Sequence, residues 1–252
     1  MFLVLKKRSV IVIAIVLSVV ICAGALAGSG VIDVAQKSKR LVPIYEVETT
    51  ENYVALTFDA AWGSDKTQKI MDELEKNGYQ GTFFLTGFWV DANPELVKEI
   101  HNRGHLIGNH SENHAHLSEL NAEKIDAEID TTATKIEALI GYKPDYFRAP
   151  FGEYDNRLIE ATENRGVQCI QWSIDSLDWK GISGGEIAER VVNNVEPGDI
   201  VLFHNNSDHI LDALPLILLA IKNKGLKAVR MDQLVYKDNY AINAQGKQIK
   251  NK

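Results

Sequence analysis

Short runs of β-branched and aromatic residues alternate along the chain with longer stretches whose apolar residues recur every three or four positions. A β-rich run at 41–47 leads into the first core strand, 53–58, which ends at Asp59. Ile70, Met71 and Leu74 then recur at helical spacing, between a start at 64–67 and a stop at Asn77-Gly78. A strand at 82–85, a helix opened by Pro94 and ended at Arg103-Gly104, and a strand at 105–107 follow. Asn121 caps a long helix with Ile125, Ile129, Ile136 and Leu139 on its apolar face, and Gly141 closes it. The spacing then predicts a strand at 146–147, a helix at 158–165, a strand at 167–172, a helix at 186–194, a strand at 200–203, a helix at 213–224 and a strand at 226–229.

Seven core strands separated by helices imply an α/β fold, a parallel sheet covered by helices, closed as a barrel or left open. No G-x-G-x-x-G follows a strand, so dinucleotide binding loses its main support and a barrel of about seven units is favoured.

The amino terminus breaks the alternation. Lys6, Lys7 and Arg8 precede an uncharged run rich in Val, Ile, Leu and Ala that extends to Gly30. Residues 9–27 are enough to cross a bilayer, while Ala25-Leu26-Ala27 has the form of a signal-peptidase site. Residues 1–30 therefore read as a membrane anchor or a signal segment, and the basic cluster stays cytoplasmic in either case. The expected localisation is the cell membrane, single-pass with an extracytoplasmic domain, or secretion after cleavage. Residues 31–40 read as a polar linker, 41–238 as the folded domain and 239–252 as a polar tail.

With 252 residues, 45% of them hydrophobic, the chain is long enough for one large domain. A net charge of -7 argues against nucleic acid as a partner. Of the two cysteines, Cys22 lies in the apolar run and Cys169 in a strand-like run, so no disulfide framework exists and Cys169 reads as an inert buried thiol.

Three of the seven histidines fall between 110 and 116. His110 and His114 have the i, i+4 spacing that brings two imidazoles onto one face of a helical turn, where they can share a divalent cation; a polar surface loop is the alternative. The unusual polar residues lie just past predicted strand ends: Asp59, His110 and His114, Arg148, Asp175 and Asp178, and His204. In a parallel barrel those ends share one face, where barrel enzymes build their sites. Ala60, Ala61 and Trp62 suggest that Asp59 sits in a partly desolvated pocket, and Arg148 in Arg148-Ala149-Pro150-Phe151-Gly152 is suited to orienting a carboxylate bidentately. His101, His105, His116 and His209 read as structural or surface residues.

Together these motifs resemble those of the polysaccharide deacetylases of carbohydrate esterase family 4, the NodB-homology proteins, over residues 53–235. Thr57-Phe58-Asp59-Ala60 corresponds to the family's T-F-D-D, His110-Ser111-Glu112-Asn113-His114 to H-[ST]-x-x-[HS], and Arg148-Ala149-Pro150-Phe151 to R-x-P-[FY]. Asp175-Ser176-Leu177-Asp178-Trp179 matches its Asp/Trp motif and Leu202-Phe203-His204 its L-x-H. The form Thr57-Phe58-Asp59-Ala60-Ala61-Trp62-Gly63, with the amino-terminal segment, is similar to the sporulation-associated PdaB-like subgroup.

The resemblance implies a distorted (β/α)7 barrel and metal-dependent removal of N-acetyl groups from cell-wall or spore-cortex glycan such as peptidoglycan. It implies His110 and His114 as ligands of a divalent metal, Zn, Co or Mn. Asp59 would be the base, oriented by Arg148, and His204 the acid, tuned by Asp175 or Asp178. Trp179 and Leu202 would form a slot for the acetyl methyl, with Pro150 and Phe151 at the substrate. One residue departs from the pattern: the family's metal-binding second aspartate is Ala60, whose methyl cannot ligate a metal. That departure leaves a second expectation open, a glycan-binding or structural protein that has lost metal catalysis.

Overall fold

The structure is a computed structural model that describes residues 40–251. The expected membrane or signal segment at 1–30, and the linker at 31–40 apart from Arg40, lie outside the described residues. Among the described residues no helix is long and apolar enough to cross a membrane.

The strands are β1 (Glu46–Val47), β2 (Tyr53–Ala60), β3 (Thr82–Leu85), β4 (Leu106–Asn109), β5 (Tyr146–Phe147), β6 (Gln168–Cys169), β7 (Ile174–Asp175), β8 (Ile200–His204), β9 (Lys227–Val229), β10 (Tyr240–Ile242) and β11 (Lys247–Lys250). The helices are α1 (Thr67–Lys76), α2 (Gly87–Ala92), α3 (Pro94–Asn102), α4 (Ala122–Ile140), α5 (Asn156–Glu163), α6 (Gly184–Val192), α7 (Ile210–Asn223) and α8 (Met231–Leu234). The main sheet runs β6-β5-β4-β3-β2-β8-β7, with β9 also paired to β2, and every pairing in it is parallel. It forms the α/β half-barrel of the (β/α)7 type.

Alternation along β2 decides what faces where, because successive side chains on a strand point to opposite faces. Val54, Leu56, Phe58 and Ala60 enter an apolar cluster with residues of α1, α6 and α7, among them Ile70, Ile187 and Leu214. Phe58 stacks at 5.0 Å on Phe83 and 5.5 Å on Phe203 there. Ala55 belongs to a second cluster with Phe84, Tyr146, Ile170 and Val229, and Thr57 and Asp59 follow it on that face. In register, Asp59 pairs with Phe84 on β3 and with His204 on β8, so the acid and the imidazole occupy one row across adjacent strands.

Helix ends follow their sequence signals. Asn121 accepts from the Lys124 backbone N–H at the start of α4, and Gly141 closes it at φ +85°. Ser183 and Glu186 form a reciprocal capping box at the start of α6.

Three sequence expectations are corrected. The run 167–172 is not one strand: it contains β6, and the chain then crosses to β7 at the opposite edge of the sheet, so the main sheet has eight strands and Asp175 lies on the last of them. The short helix α2, before Pro94, lacks a periodic stretch long enough to be seen in sequence. Residues 239–252 are not a plain tail, since β10 and β11 form a hairpin whose second strand pairs in parallel with β1. Gln248 on β11 is fully buried, accepting from the Tyr236 backbone N–H at 2.9 Å and donating to its carbonyl at 2.8 Å, so a polar sequence is anchored by backbone hydrogen bonds.

His105, between α3 and β4, reports on packing against pH. The Gly81 N–H donates to its Nδ1 at 3.0 Å, and Nε2 lies 3.2 Å from Glu75 Oε1. Burial first, against the pull of Glu75, lowers the pKa of the ring. The folded state therefore disfavours a proton that the unfolded chain accepts near pH 6.5, so this stability is present above that pH and is lost as pH falls toward the folded value. In urea titrations of wild type and His105→Gln at pH 8 and pH 5, the stability difference between the two proteins should shrink at the lower pH.

Candidate active site

A cavity of about 650 Å3 opens at the carboxyl ends of β2, β4, β5 and β8. Asp59, His110, His114, Phe151, Asp175, Asp178, Trp179, Leu202 and His204 all line it. Arg148 lies beneath, with no exposed surface.

The Arg148 guanidinium meets Asp59 through one nitrogen, Nη1 to Oδ1 at 2.8 Å. The bidentate fork expected from sequence does not form: Nη2 is directed elsewhere, and Nε is buried without a hydrogen-bond partner. Nη1 also donates to Thr57 Oγ1 at 2.8 Å, and Nη2 donates to the Gln171 carbonyl at 3.1 Å. The cation lies 4.2 Å over the Phe84 ring. A Cβ at Gly108 would come within 2.4 Å of that ring, so β4 needs glycine there for Phe84 to support the guanidinium. Burial raises the Asp59 carboxyl, but Arg148, His110 and His204 together bring it below its ordinary value, and it stays ionised at neutral pH.

His110 and His114 are not on a helix. Residues 110–116 form a loop in which Ser111 and His114 adopt left-handed backbone angles, φ +70° and +52°. The loop still brings the two rings together, with centroids 5.0 Å apart. The Arg148 carbonyl accepts from His110 Nδ1 at 2.8 Å, which fixes the tautomer and leaves Nε2, 3.4 Å from Asp59 Oδ2, as a lone-pair donor. Trp62 and Phe151 contact His114 edge-on at 5.0 and 4.5 Å. Burial, then the neighbouring His110, pushes His114 down to about 4, and its Nδ1 is buried without a hydrogen-bond partner. Two neutral imidazoles with an unpartnered nitrogen suit a divalent cation as nitrogen donors. Among the described residues, however, no group of three His, Cys, Asp or Glu side chains is arranged to hold one.

Opposite Asp59, one carboxylate holds His204 twice. Asp178 Oδ1 accepts from the ring Nδ1 and Oδ2 from the His204 backbone N–H, both at 2.8 Å. Burial alone would lower this imidazole, but the hydrogen bond and charge of Asp178 raise it above its ordinary value. Asp175 instead accepts from the Leu177 N–H at 2.8 Å and supports the turn, so Asp178 is the residue against His204.

The remaining site residues divide by exposure. Leu202 is buried on the cavity wall, while Trp179 and Phe151 are 56% and 53% exposed at its rim. Pro150 is buried and does not line the cavity, so it shapes the turn that turns Phe151 outward at φ +60°. Ala60 does not line it either; it is fully buried in the apolar cluster, and Ala61 is the next cavity-lining residue after Asp59. The 59% exposed Trp62 also lines the cavity, which in the sequence was only an apolar neighbour of Asp59. His116, read as a structural or surface residue, stacks at 4.2 Å on Phe151 and pairs with Glu153.

Residues 46–170 match the family model described as polysaccharide deacetylase. The chain is 38% identical over 186 residues to a peptidoglycan-N-acetylglucosamine deacetylase of Bacillus cereus, covering 72% of this chain and 67% of that protein. It is 30% identical to the peptidoglycan-N-acetylmuramic acid deacetylase PdaA of Bacillus subtilis, covering 81% of each. Among solved structures it is similar to a mutant of a CE4 family pseudoenzyme with restored enzymatic activity, with TM-score 0.75, 31% identity and coverage of 78% and 72%. The wild-type form of that pseudoenzyme, from Bacillus anthracis, has TM-score 0.74 and 27% identity, with coverage of 84% and 73%.

Because Asp178 is what raises His204, Asp178→Asn should lower the pH at which the His204 ring titrates. Histidine ring NMR on wild type and variant measures the shift, and an unchanged titration would remove Asp178 from this role.

Proposed function

The chain belongs to the polysaccharide deacetylase family, and from that premise we propose that it is an exported N-deacetylase of cell-wall glycan, peptidoglycan or a similar N-acetylated polysaccharide. The observation that carries this reading is a carboxylate whose pKa Arg148 lowers and an imidazole whose pKa Asp178 raises, both lining one cavity. Amide hydrolysis needs that pair: one group takes a proton from water, and the other gives one to the departing nitrogen.

Asp59 accepts the water proton on Oδ2, since Oδ1 is occupied by Arg148. The water oxygen bonds to the acetyl carbon. His204 then donates from Nε2 as the carbon–nitrogen bond breaks, which releases acetate and a sugar amine. Leu202 and Trp179 take the acetyl methyl. His110 and His114 would hold the divalent cation, zinc, cobalt or manganese, which when bound polarises the carbonyl and acidifies the water.

The proposal extends to place and process. The apolar run after Lys6-Lys7-Arg8 supports export with membrane attachment or cleavage, and the form of 57–63 supports a role in sporulation with spore-cortex glycan as substrate. A second reading is a protein that binds wall glycan without turnover. Ala60 favours it, and so does the likeness to a pseudoenzyme.

The purified chain supplied with Zn²⁺ or Co²⁺ should release acetate from N-acetylated glycan. Asp59→Asn should reduce release by about 10²-fold or more, the scale of one general base. Glycan binding with intact folding but no acetate, across several glycans and metals, would favour the second reading.

Ala60→Asp separates the readings further. Position 60 is fully buried among apolar side chains, where an unpaired carboxylate is costly. The variant should melt below wild type without metal and recover on adding Zn²⁺, with tighter zinc binding by calorimetry. A melting temperature indifferent to zinc would show that residue 60 does not reach the ion.

A further inference from the structure

One side of α4 carries Glu128, Thr132 and Lys135, four and three residues apart and so on one stripe of the helix. All three end on the histidine loop. Glu128 Oε2 accepts from the backbone N–H of Glu112 at 3.0 Å and of Asn113 at 2.8 Å, and Oε1 accepts from Asn113 Nδ2 at 2.8 Å. Thr132 Oγ1 donates to Glu112 Oε2 at 2.9 Å, and Lys135 pairs with Glu112 and Asp91. Asn109 completes the anchoring, accepting from the Ser111 N–H and donating to the Ile129 carbonyl of α4.

Glu128 is buried, and the acceptor bonds it makes to the loop are what satisfy its carboxylate. The two backbone amides it holds immediately precede His114. Ser111 and His114 both lie in the left-handed region without being glycine, a conformation that persists only where the surroundings over-determine it. The opposite flank is equally specified: a Cβ on Gly87 would meet Glu112 Oε2 at 1.7 Å, so only glycine admits the Glu112 side chain there.

We infer that Glu128 is a positioning residue: its carboxylate holds the loop in the one conformation that keeps the His114 ring beside His110. The consequence for metal binding rests on the proposed function, which gives this pair the divalent cation. The consequence for the loop does not.

The test uses the full chain and needs no turnover. Hydrogen-exchange mass spectrometry without metal follows a peptide covering 110–116, with a β8 peptide as the internal standard, and zinc affinity is measured by calorimetry. In Glu128→Ala the loop amides should exchange about tenfold faster, as expected for the loss of hydrogen bonds to a charged acceptor, while β8 is unchanged. Zinc should bind about 10–100-fold more weakly, the usual effect of removing a group that orients a ligand. Glu128→Gln should restore both, because its amide oxygen still serves the two backbone donors and the Asn113 side chain can turn its own oxygen toward the new NH₂.

Loop exchange in Glu128→Ala equal to wild type would overturn the inference, and so would a Gln variant as impaired as Ala. If Glu128→Ala does not fold, Glu128→Asp withdraws the carboxylate by one methylene and carries the same expectations. A wild-type chain that binds no zinc would instead sink the metal reading, and the exchange result would still decide whether Glu128 holds the loop.

Discussion

The buried contact between Arg148 and Asp59, 2.8 Å long with the arginine wholly enclosed, is the constraint around which the barrel mouth is arranged. An unpaired guanidinium at that depth would be untenable, and breaking such a pair by removing one member costs about 3–5 kcal/mol. Its surroundings answer most of that demand: Thr57 and the Gln171 carbonyl take further N–H groups and Phe84 lies under the cation, while Nε alone has no hydrogen-bond partner. Gly108 leaves the ring its place. Three strands, β2, β3 and β4, and the segments that follow β5 and β6 contribute to this one group, so the identity of residues far apart in the chain is tied to a single charge.

That contact also sets the chemistry. With Oδ1 engaged and the carboxyl held ionised, Asp59 presents one oxygen toward His110 and the cavity. His204 sits in register with it on the adjacent strand and is biased the opposite way by Asp178. Two titratable groups biased in opposite directions are what the proposed deacetylation asks of its base and its acid. Trp62, Phe151 and Trp179 stand exposed around them, large apolar faces at the rim of a polar floor.

The histidine pair is assembled differently. It depends on a loop, not on regular structure, and the loop depends on α4 through backbone hydrogen bonds to one carboxylate. Ala60 adds a contrast between sequence and position. The family motif aligns it with an aspartate, yet β2 carries its methyl into the apolar cluster and leaves Ala61 lining the cavity. Membership in the polysaccharide deacetylase family thus accounts for the scaffold, whereas the described residues show no three-ligand metal site.

By itself the sequence determined the alternation of strands and helices, because periods of two and of 3.6 residues are local properties that each segment carries. It also placed Asp59, His110, Arg148 and His204 at or just past the ends of parallel strands, since strand ends are legible wherever an apolar run meets a charged residue. Contacts between segments distant along the chain were left to the tertiary structure. Only there did Asp178 separate from Asp175, because the difference is which carboxylate reaches one ring and one N–H. The shortening of 167–172 to β6, with β7 following at the opposite sheet edge, and the hairpin within 239–252 were also decided there, by hydrogen bonds to strands far away in sequence. The same holds for the histidine spacing, which suggested a helical turn. The structure made it a left-handed loop, because beside the local acceptors Asn109 and Ser111 it is held by Glu128 on a helix beginning eight residues later, which no local pattern records.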